Sequence, residues 1–248
     1  SSIVPLSSLA LDVALPCLVF TNILRNFNPG EFRGWWLLPG WWLGFTVFTG
    51  LLAFLASPLA AGKTRREFAM GLFYPNAIFV PLVILTEMKG SDSPILTQLF
   101  LFTIFFPAMF FNTAHYFLKG PRLPRQWRRL LNAVTLATVA GIGMGYAGLQ
   151  HYVPSFVITG LTIMGNMSTP LLMIVLGGSI YLDLKLMGSG RWVEVGKFVV
   201  IKNFIFPIAV MGALWIVPVP PAVALLLVLQ AAVPPVTALP VIAEREGG

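Results

Sequence analysis

Eight apolar runs follow one another along the chain, and each is long enough to cross a lipid bilayer as a helix. They lie at about residues 3–24, 35–61, 68–87, 94–118, 130–150, 155–182, 195–217 and 219–243. A spanning helix needs roughly 20 mostly apolar residues, and its backbone polar groups are all paired within the helix. Only 10% of the residues are charged, against about 25% in soluble domains. The sequence therefore predicts an all-α transmembrane protein.

The net charge of +7 indicates membrane orientation rather than binding to a nucleic acid, because the basic residues lie in loops between the apolar runs. Cytoplasmic loops of membrane proteins carry the excess of Lys and Arg. We therefore predict that loops 62–67, 119–129 and 183–194 face the cytoplasm. The single Cys17 and two isolated histidines predict no metal site, and no motif for a cofactor is present.

Two segments with the same proline spacing, YPNAIFVPLVILTE and VPPVTALPVIAERE, indicate an internal repeat. When they are aligned, Pro75 and Pro81 fall on Pro234 and Pro240, at an offset of 159 residues. Proline inside a helix removes a hydrogen bond and clashes with the preceding turn. The matched prolines therefore predict two broken helices, with ordinary proline kinks as the alternative.

A second pairing, of LDVALPCLVFTNIL with GNMSTPLLMIVLGG, has a similar offset of 154 residues and places Asp12 opposite Asn166. Such an offset covers five helices, and an odd number inverts the second repeat in the membrane. We therefore predict inverted five-helix repeats at 1–118 and 119–248, each lacking one helix, so that about eight of ten helices are present. Inverted repeats with broken helices are typical of secondary transporters, which bind substrate where the broken helices meet.

The candidate site consists of the prolines at the breaks and the polar residues near them. The candidate substrate-binding residues are Asn76, Pro81, Asn166, Thr237, Pro240 and Lys202, and the candidates for ion coupling or cavity lining are Asp12, Pro75, Pro234 and Pro235. Lys202 would pair with a carboxylate substrate or with Asp12, or else its long side chain would reach the cytoplasmic surface. Asp12 would be functional within a membrane helix or would lie at the interface. The Thr237 hydroxyl would bind substrate or its own helix.

Three stretches resemble the auxin efflux carrier family of permeases, which includes plant auxin exporters and bacterial malate and malonate carriers. These stretches are LDVALPCLVF, MSTPLLMIVLGGSIYL and AAVPPVTALPVIAEREGG. A fourth, NAIFVPLVIL, resembles a crossover of that family but has Val80 where the family usually has glycine. The resemblance implies a ten-helix fold like that of sodium–bile-acid symporters, with Pro81 and Pro240 at an anion site. It also implies a homodimer in a bacterial inner membrane.

We therefore predict a secondary transporter of small organic anions, carboxylates such as malate or malonate, and not an enzyme. It would work by alternating access around crossed broken helices, with a proton or a sodium ion as the coupling ion. The alternatives are a sodium-coupled symporter of the bile-acid type and a non-transporting membrane sensor or assembly subunit. A membrane-embedded enzyme would need converging acids, histidines or metal ligands, whereas the sequence contains two separate histidines.

Overall fold

The computed structural model describes residues 3–30, 34–62, 64–114, 132–186 and 192–236, and regular secondary structure in these ranges is helical. In this part of the chain four helices are long and apolar enough to cross a membrane, namely Pro5–Asn26, Leu37–Leu59, Ser155–Gly178 and Trp192–Ile216. Two shorter apolar helices are Ala133–Tyr146 and Pro221–Ala232. The prediction of a helical, membrane-spanning chain is confirmed.

The helices are numbered here in chain order. They are α1 (Ile3–Leu9), α2 (Leu15–Asn26), α3 (Leu37–Ala56), α4 (Arg65–Phe73), α5 (Phe79–Lys89), α6 (Pro94–Phe102), α7 (Phe106–Thr113), α8 (Ala133–Tyr146), α9 (Ser155–Asn166), α10 (Ser168–Leu186), α11 (Trp192–Val200), α12 (Phe206–Ile216) and α13 (Pro221–Ala232). Short 3-10 turns follow α3 and α8 at Ser57–Leu59 and Leu149–Tyr152.

Two π-helical turns, Ala10–Ala14 and Ile201–Ile205, join α1 to α2 and α11 to α12. A proline, Pro16 or Pro207, follows each turn two residues later. Proline has no N–H to donate to the carbonyl four residues back, so the hydrogen-bond register of the helix changes locally without ending the helix. Such turns often occur at functional sites.

Besides the two π-helical turns, breaks divide the predicted apolar runs 68–87, 94–118 and 155–182, the last of these at Met167 between α9 and α10. Residues 74–78 separate α4 from α5 within the run 68–87, and a turn at 103–105 separates α6 from α7 within the run 94–118. The run 94–118 was predicted as one helix. Its division at 103–105 lies just before Pro107, in the first turn of α7. In the run 219–243, α13 ends at Ala232 and an extended segment follows it.

The chain divides into two compact units that alternate along the sequence. Unit 1 comprises residues 1–39, 82–104 and 127–185, and unit 2 comprises the remainder. Each unit therefore combines segments from both halves of the chain. This division into units does not test the predicted division into repeats at residue 118, which stays a prediction.

Unit 1 is organised around α2, which packs against α6, α8 and α9. Glycines allow two of these contacts to be close. A Cβ added to Gly141 of α8 would lie 2.9 Å from the Ile23 side chain, and one added to Gly165 of α9 would lie 2.8 Å from the backbone nitrogen of Leu18. Small residues of this kind let membrane helices approach closely.

Unit 2 contains an aromatic cluster on α3, α4 and α7 and a close pairing of α12 with α13. Phe106 and Phe110 of α7 stack with their ring centroids 6.0 Å apart. Trp42 meets the first of them edge-on at 6.5 Å, and Tyr74 meets the second at 5.1 Å. Tyr74 thereby anchors the end of α4 to α7.

Large apolar side chains are exposed along α3 and α12. Val47 and Phe54 of α3 and Trp215 and Ile216 of α12 are all more than two-thirds exposed. A soluble monomer rarely exposes contiguous apolar surface on this scale. These faces are suited to contact with lipid.

Candidate functional site

Two non-helical stretches of unit 2, one between α4 and α5 and the other after α13, lie side by side as a short antiparallel pair. The backbone N–H of Asn76 donates to the carbonyl of Pro234 at 2.7 Å, and the N–H of Val236 donates to the carbonyl of Tyr74 at 3.0 Å. The stretch 74–78 and the segment after α13 therefore satisfy some of each other's backbone groups. Because unpaired backbone polar groups are costly in a membrane, this pairing explains why non-helical backbone is tolerated in both places.

Pro75 and Pro235 face each other at the centre of this antiparallel pair. In antiparallel pairing, positions that exchange two hydrogen bonds alternate with positions that exchange none. The two prolines, which have no N–H, occupy a position of the second kind. We call the paired segments 74–76 and 234–236 the crossing.

Asn76 is a buried residue of the crossing, with a relative exposure of 1%. Its Oδ1 accepts a hydrogen bond from the N–H of Phe79 at 3.1 Å, and so it caps the first turn of α5 in the way that asparagine commonly does. This bond assigns the oxygen of the side-chain amide and leaves its Nδ2 pointing elsewhere. Nδ2 has no hydrogen-bond partner among the described residues.

Gln230 of α13 is also fully buried and reaches the same stretch of backbone. Its Nε2 donates to the carbonyl of Ala77 at 2.7 Å. Pro81, four residues further along and in the first turn of α5, has no N–H with which to bind that carbonyl. Gln230 thus satisfies a group that the proline leaves free, while its own Oε1 has no partner within the described ranges.

Lys202 lies on the second π-helical turn and is 1% exposed. Its Nζ lies 3.4 Å from the carbonyl of Leu72, at the C-terminal end of α4, and 5.0 Å from the centroid of the Phe206 ring. A helix C-terminus and an aromatic face both favour a cation. No carboxylate pairs with Lys202 in the part of the chain that the structure describes. The alternative that its side chain reaches the surface is wrong, because its amino group is buried.

The other candidate residues of the described chain, Asp12 and Asn166, belong to unit 1, and both are exposed. Asp12 lies on the first π-helical turn. Asn166 lines a cavity of about 300 Å³, together with Thr86, Glu87 and Thr169 among others. The carbonyl of Asn166 is the one to which Pro170, which has no N–H, cannot donate.

The structure brings four of the predicted site residues into direct backbone contact or pairing: Pro75, Asn76, Pro234 and Pro235. Pro81 and Lys202 lie in the same unit. Thr237 and Pro240 lie outside the described residues. The sequence reading missed Gln230, although it is the only polar residue in the run PAVALLLVLQAAV, and that was the signal that could have identified it.

These features define a helical membrane protein in which the non-helical stretch between α4 and α5 meets the segment after α13 at a buried polar crossing. The sequence profile of a family described as membrane transport protein matches residues 1–125, about half of the chain. The chain belongs to this family of membrane transport proteins, the auxin efflux carrier family, and the resemblance is confirmed. Among curated proteins, no similar sequence was found.

Proposed function

We propose that this membrane transport protein is a secondary transporter of small organic anions, such as malate or malonate, that works by alternating access. The substrate would bind at the crossing in unit 2. The observation that carries the proposal is Lys202, whose fully buried amino group has no carboxylate partner among the described residues. A buried charge is costly unless it is paired, and a carboxylate substrate would supply the missing partner.

The groups around the crossing suit an anion in two further ways. Asn76 has a buried Nδ2 that needs an acceptor. The helix α5 begins at Phe79, three residues after Asn76, so its electropositive end lies at the crossing. Helix N-termini bind anions readily. In this proposal Pro81 contributes by starting α5 there, and Thr237 and Pro240 would contribute from the other segment.

The inverted repeat is part of the proposal and rests on the matched prolines of the sequence. The offset of 159 residues relates Pro75 to Pro234 and Asn76 to Pro235, whereas the antiparallel pairing sets Pro75 opposite Pro235. The repeat therefore stays a prediction.

The remaining predictions complete the proposal. The two alternating units are candidates for the scaffold and the moving body of alternating access, and Asp12 and Asn166 in unit 1 are candidates for ion coupling or cavity lining. A proton or a sodium ion would drive transport. The protein would be a homodimer in a bacterial inner membrane, with loops 62–67, 119–129 and 183–194 in the cytoplasm.

The decisive experiment is uptake of radiolabelled carboxylates into liposomes that contain the purified full-length protein. Proton and sodium gradients would be imposed separately, which also identifies the coupling ion. The test variant is Lys202→Met, which keeps an unbranched side chain only one atom shorter and removes the amino group. The control is Lys197→Met on α11, because Lys197 is exposed and pairs with Glu194 at 2.9 Å.

We expect carboxylate uptake by the unaltered protein and by Lys197→Met, and a large rise in KM for Lys202→Met. Removing one partner of a buried charge pair costs about 2–5 kcal/mol, which corresponds to a factor of roughly 30 to 5,000 in affinity. If the unaltered protein transports no carboxylate under either gradient, the proposal is wrong. If Lys202→Met and Lys197→Met behave alike, Lys202 is not the anion partner.

A further inference from the structure

The side-chain amides of Asn76 and Gln230 each make one hydrogen bond to the backbone, but Asn76 uses its oxygen and Gln230 uses its nitrogen. Each uses one end to satisfy the backbone near the crossing: Asn76 Oδ1 accepts from Phe79, and Gln230 Nε2 donates to Ala77. These bonds fix which end of each amide is nitrogen and which is oxygen. The ends left over are a donor on Asn76 and an acceptor on Gln230.

Both leftover atoms are buried and unpartnered within the described chain. A buried polar atom without a partner costs about 1–3 kcal/mol, and most proteins leave few such atoms. A serine at position 76 would cap α5 equally well, and serine has no amide donor to leave unpaired. The amides therefore leave one donor and one acceptor unused, and a ligand with both an acceptor and a donor would satisfy them.

We propose that Gln230 determines which anions the protein accepts, because its Oε1 receives a hydrogen bond from a hydroxyl group of the substrate. The carboxylate of the same molecule would accept from Asn76 Nδ2. The substrate class is then a hydroxy acid rather than a plain carboxylate. This inference rests on the proposed transport of organic anions and adds a specificity-determining residue to it.

The physical consequence is discrimination between substrates that differ by one hydroxyl. A site built to hydrogen-bond a hydroxyl rejects an analogue that lacks it, because the protein's buried polar atom is then left unpaired. The unaltered protein should therefore transport a hydroxy acid with a kcat/KM at least about tenfold above that of its deoxy analogue. The advantage should depend on Gln230.

The test compares malate with succinate, which differ by one hydroxyl, in liposomes that contain the full-length protein. The assay is run at about pH 7.5, well above the ordinary carboxyl pKa near 4, so that both acids are ionised and neither carries a carboxyl proton as a donor. The test variant is Gln230→Met, which preserves side-chain length and helix propensity. The control is Thr103→Val, a buried residue of unit 1 whose hydroxyl donates to the carbonyl of Leu99, one helical turn earlier.

We expect the ratio of kcat/KM for malate over succinate to fall to near one in Gln230→Met and to stay unchanged in Thr103→Val. Loss of the bond to Ala77 could lower both rates in Gln230→Met, but structural damage alone would not change the ratio.

Equal transport of malate and succinate by the unaltered protein would overturn the inference, and that measurement needs no variant to fold. A ratio that survives Gln230→Met would overturn it as well. Either result leaves carboxylate transport intact, so it is distinguishable from failure of the proposed function, in which neither acid is transported.

Discussion

Replacing Gly165 with alanine is a direct test of how closely α9 approaches α2. The new Cβ would lie 2.8 Å from the nitrogen and 2.9 Å from the Cα of Leu18, whereas ordinary contacts begin at 3.4 Å. The shortfall is 3.4 − 2.8 = 0.6 Å. The atoms in the way belong to the backbone, so no side-chain rotation can relieve the clash, and the two helices must separate.

The matched control is Gly160→Ala, five residues earlier on the same helix. A Cβ at Gly160 would meet no atom within 4 Å. Both variants gain the same helix propensity, about 1 kcal/mol for glycine to alanine, so the difference between them isolates the clash. Inserting a methyl group into a packed interior costs about 1–3 kcal/mol. Each kcal/mol shifts the Tm of a chain of this size by about 2–4 °C.

We therefore expect Gly165→Ala to unfold about 2–12 °C below Gly160→Ala, taking both ranges together. The measurement is thermal unfolding of the purified protein in one detergent, followed by intrinsic tryptophan fluorescence. Equal Tm values for the two variants would refute the close approach of α9 to α2. If Gly160→Ala is itself destabilised, the space around Gly160 is not open and the variant is not a valid control.

Two further substitutions separate structural roles from binding roles. Asn76→Ala should lower stability by about 1 kcal/mol through loss of the cap, whereas Asn76→Ser should restore the Tm but not carboxylate uptake, since serine caps a helix but has no amide donor. Recovery of uptake in Asn76→Ser would contradict the assigned role of Nδ2. Thr97→Val should cost about 1–3 kcal/mol, because Thr97 donates to the buried Asn22 Oδ1 at 2.6 Å. A Tm like that of the unaltered protein would show that Asn22 finds another donor.

The helical fold could be predicted from the sequence because long apolar runs and scarce charge leave few other folds for a chain in a membrane. The interruption at Pro75 was also predictable, since proline acts on its own helix. The division at 103–105 was not predicted, although Pro107 is the same kind of signal, because no repeated partner drew attention to it. The effect of a residue on its own helix was therefore the part of the structure most easily predicted from the sequence.

The partners of the crossing were not predictable in detail. The sequence alignment sets Pro75 opposite Pro234, whereas the antiparallel pairing sets it opposite Pro235. A repeat alignment states which residues are equivalent, and only three-dimensional geometry states which residues touch. Gln230 was missed for the same reason: a single glutamine in an apolar run is visible, but the carbonyl that it binds is 153 residues away in sequence.

The alternation of the two units along the chain has a consequence for how the protein is made. Ile23 of α2 and Gly141 of α8 pack together although they are 141 − 23 = 118 residues apart. At about 5–20 residues per second of synthesis, α2 enters the membrane roughly 6 to 24 seconds before that partner exists. During this interval α2 lacks its α8 and α9 contacts. Synthesis that stops before α8 therefore yields an unfinished unit 1, and we expect such truncated chains to be removed by membrane quality control.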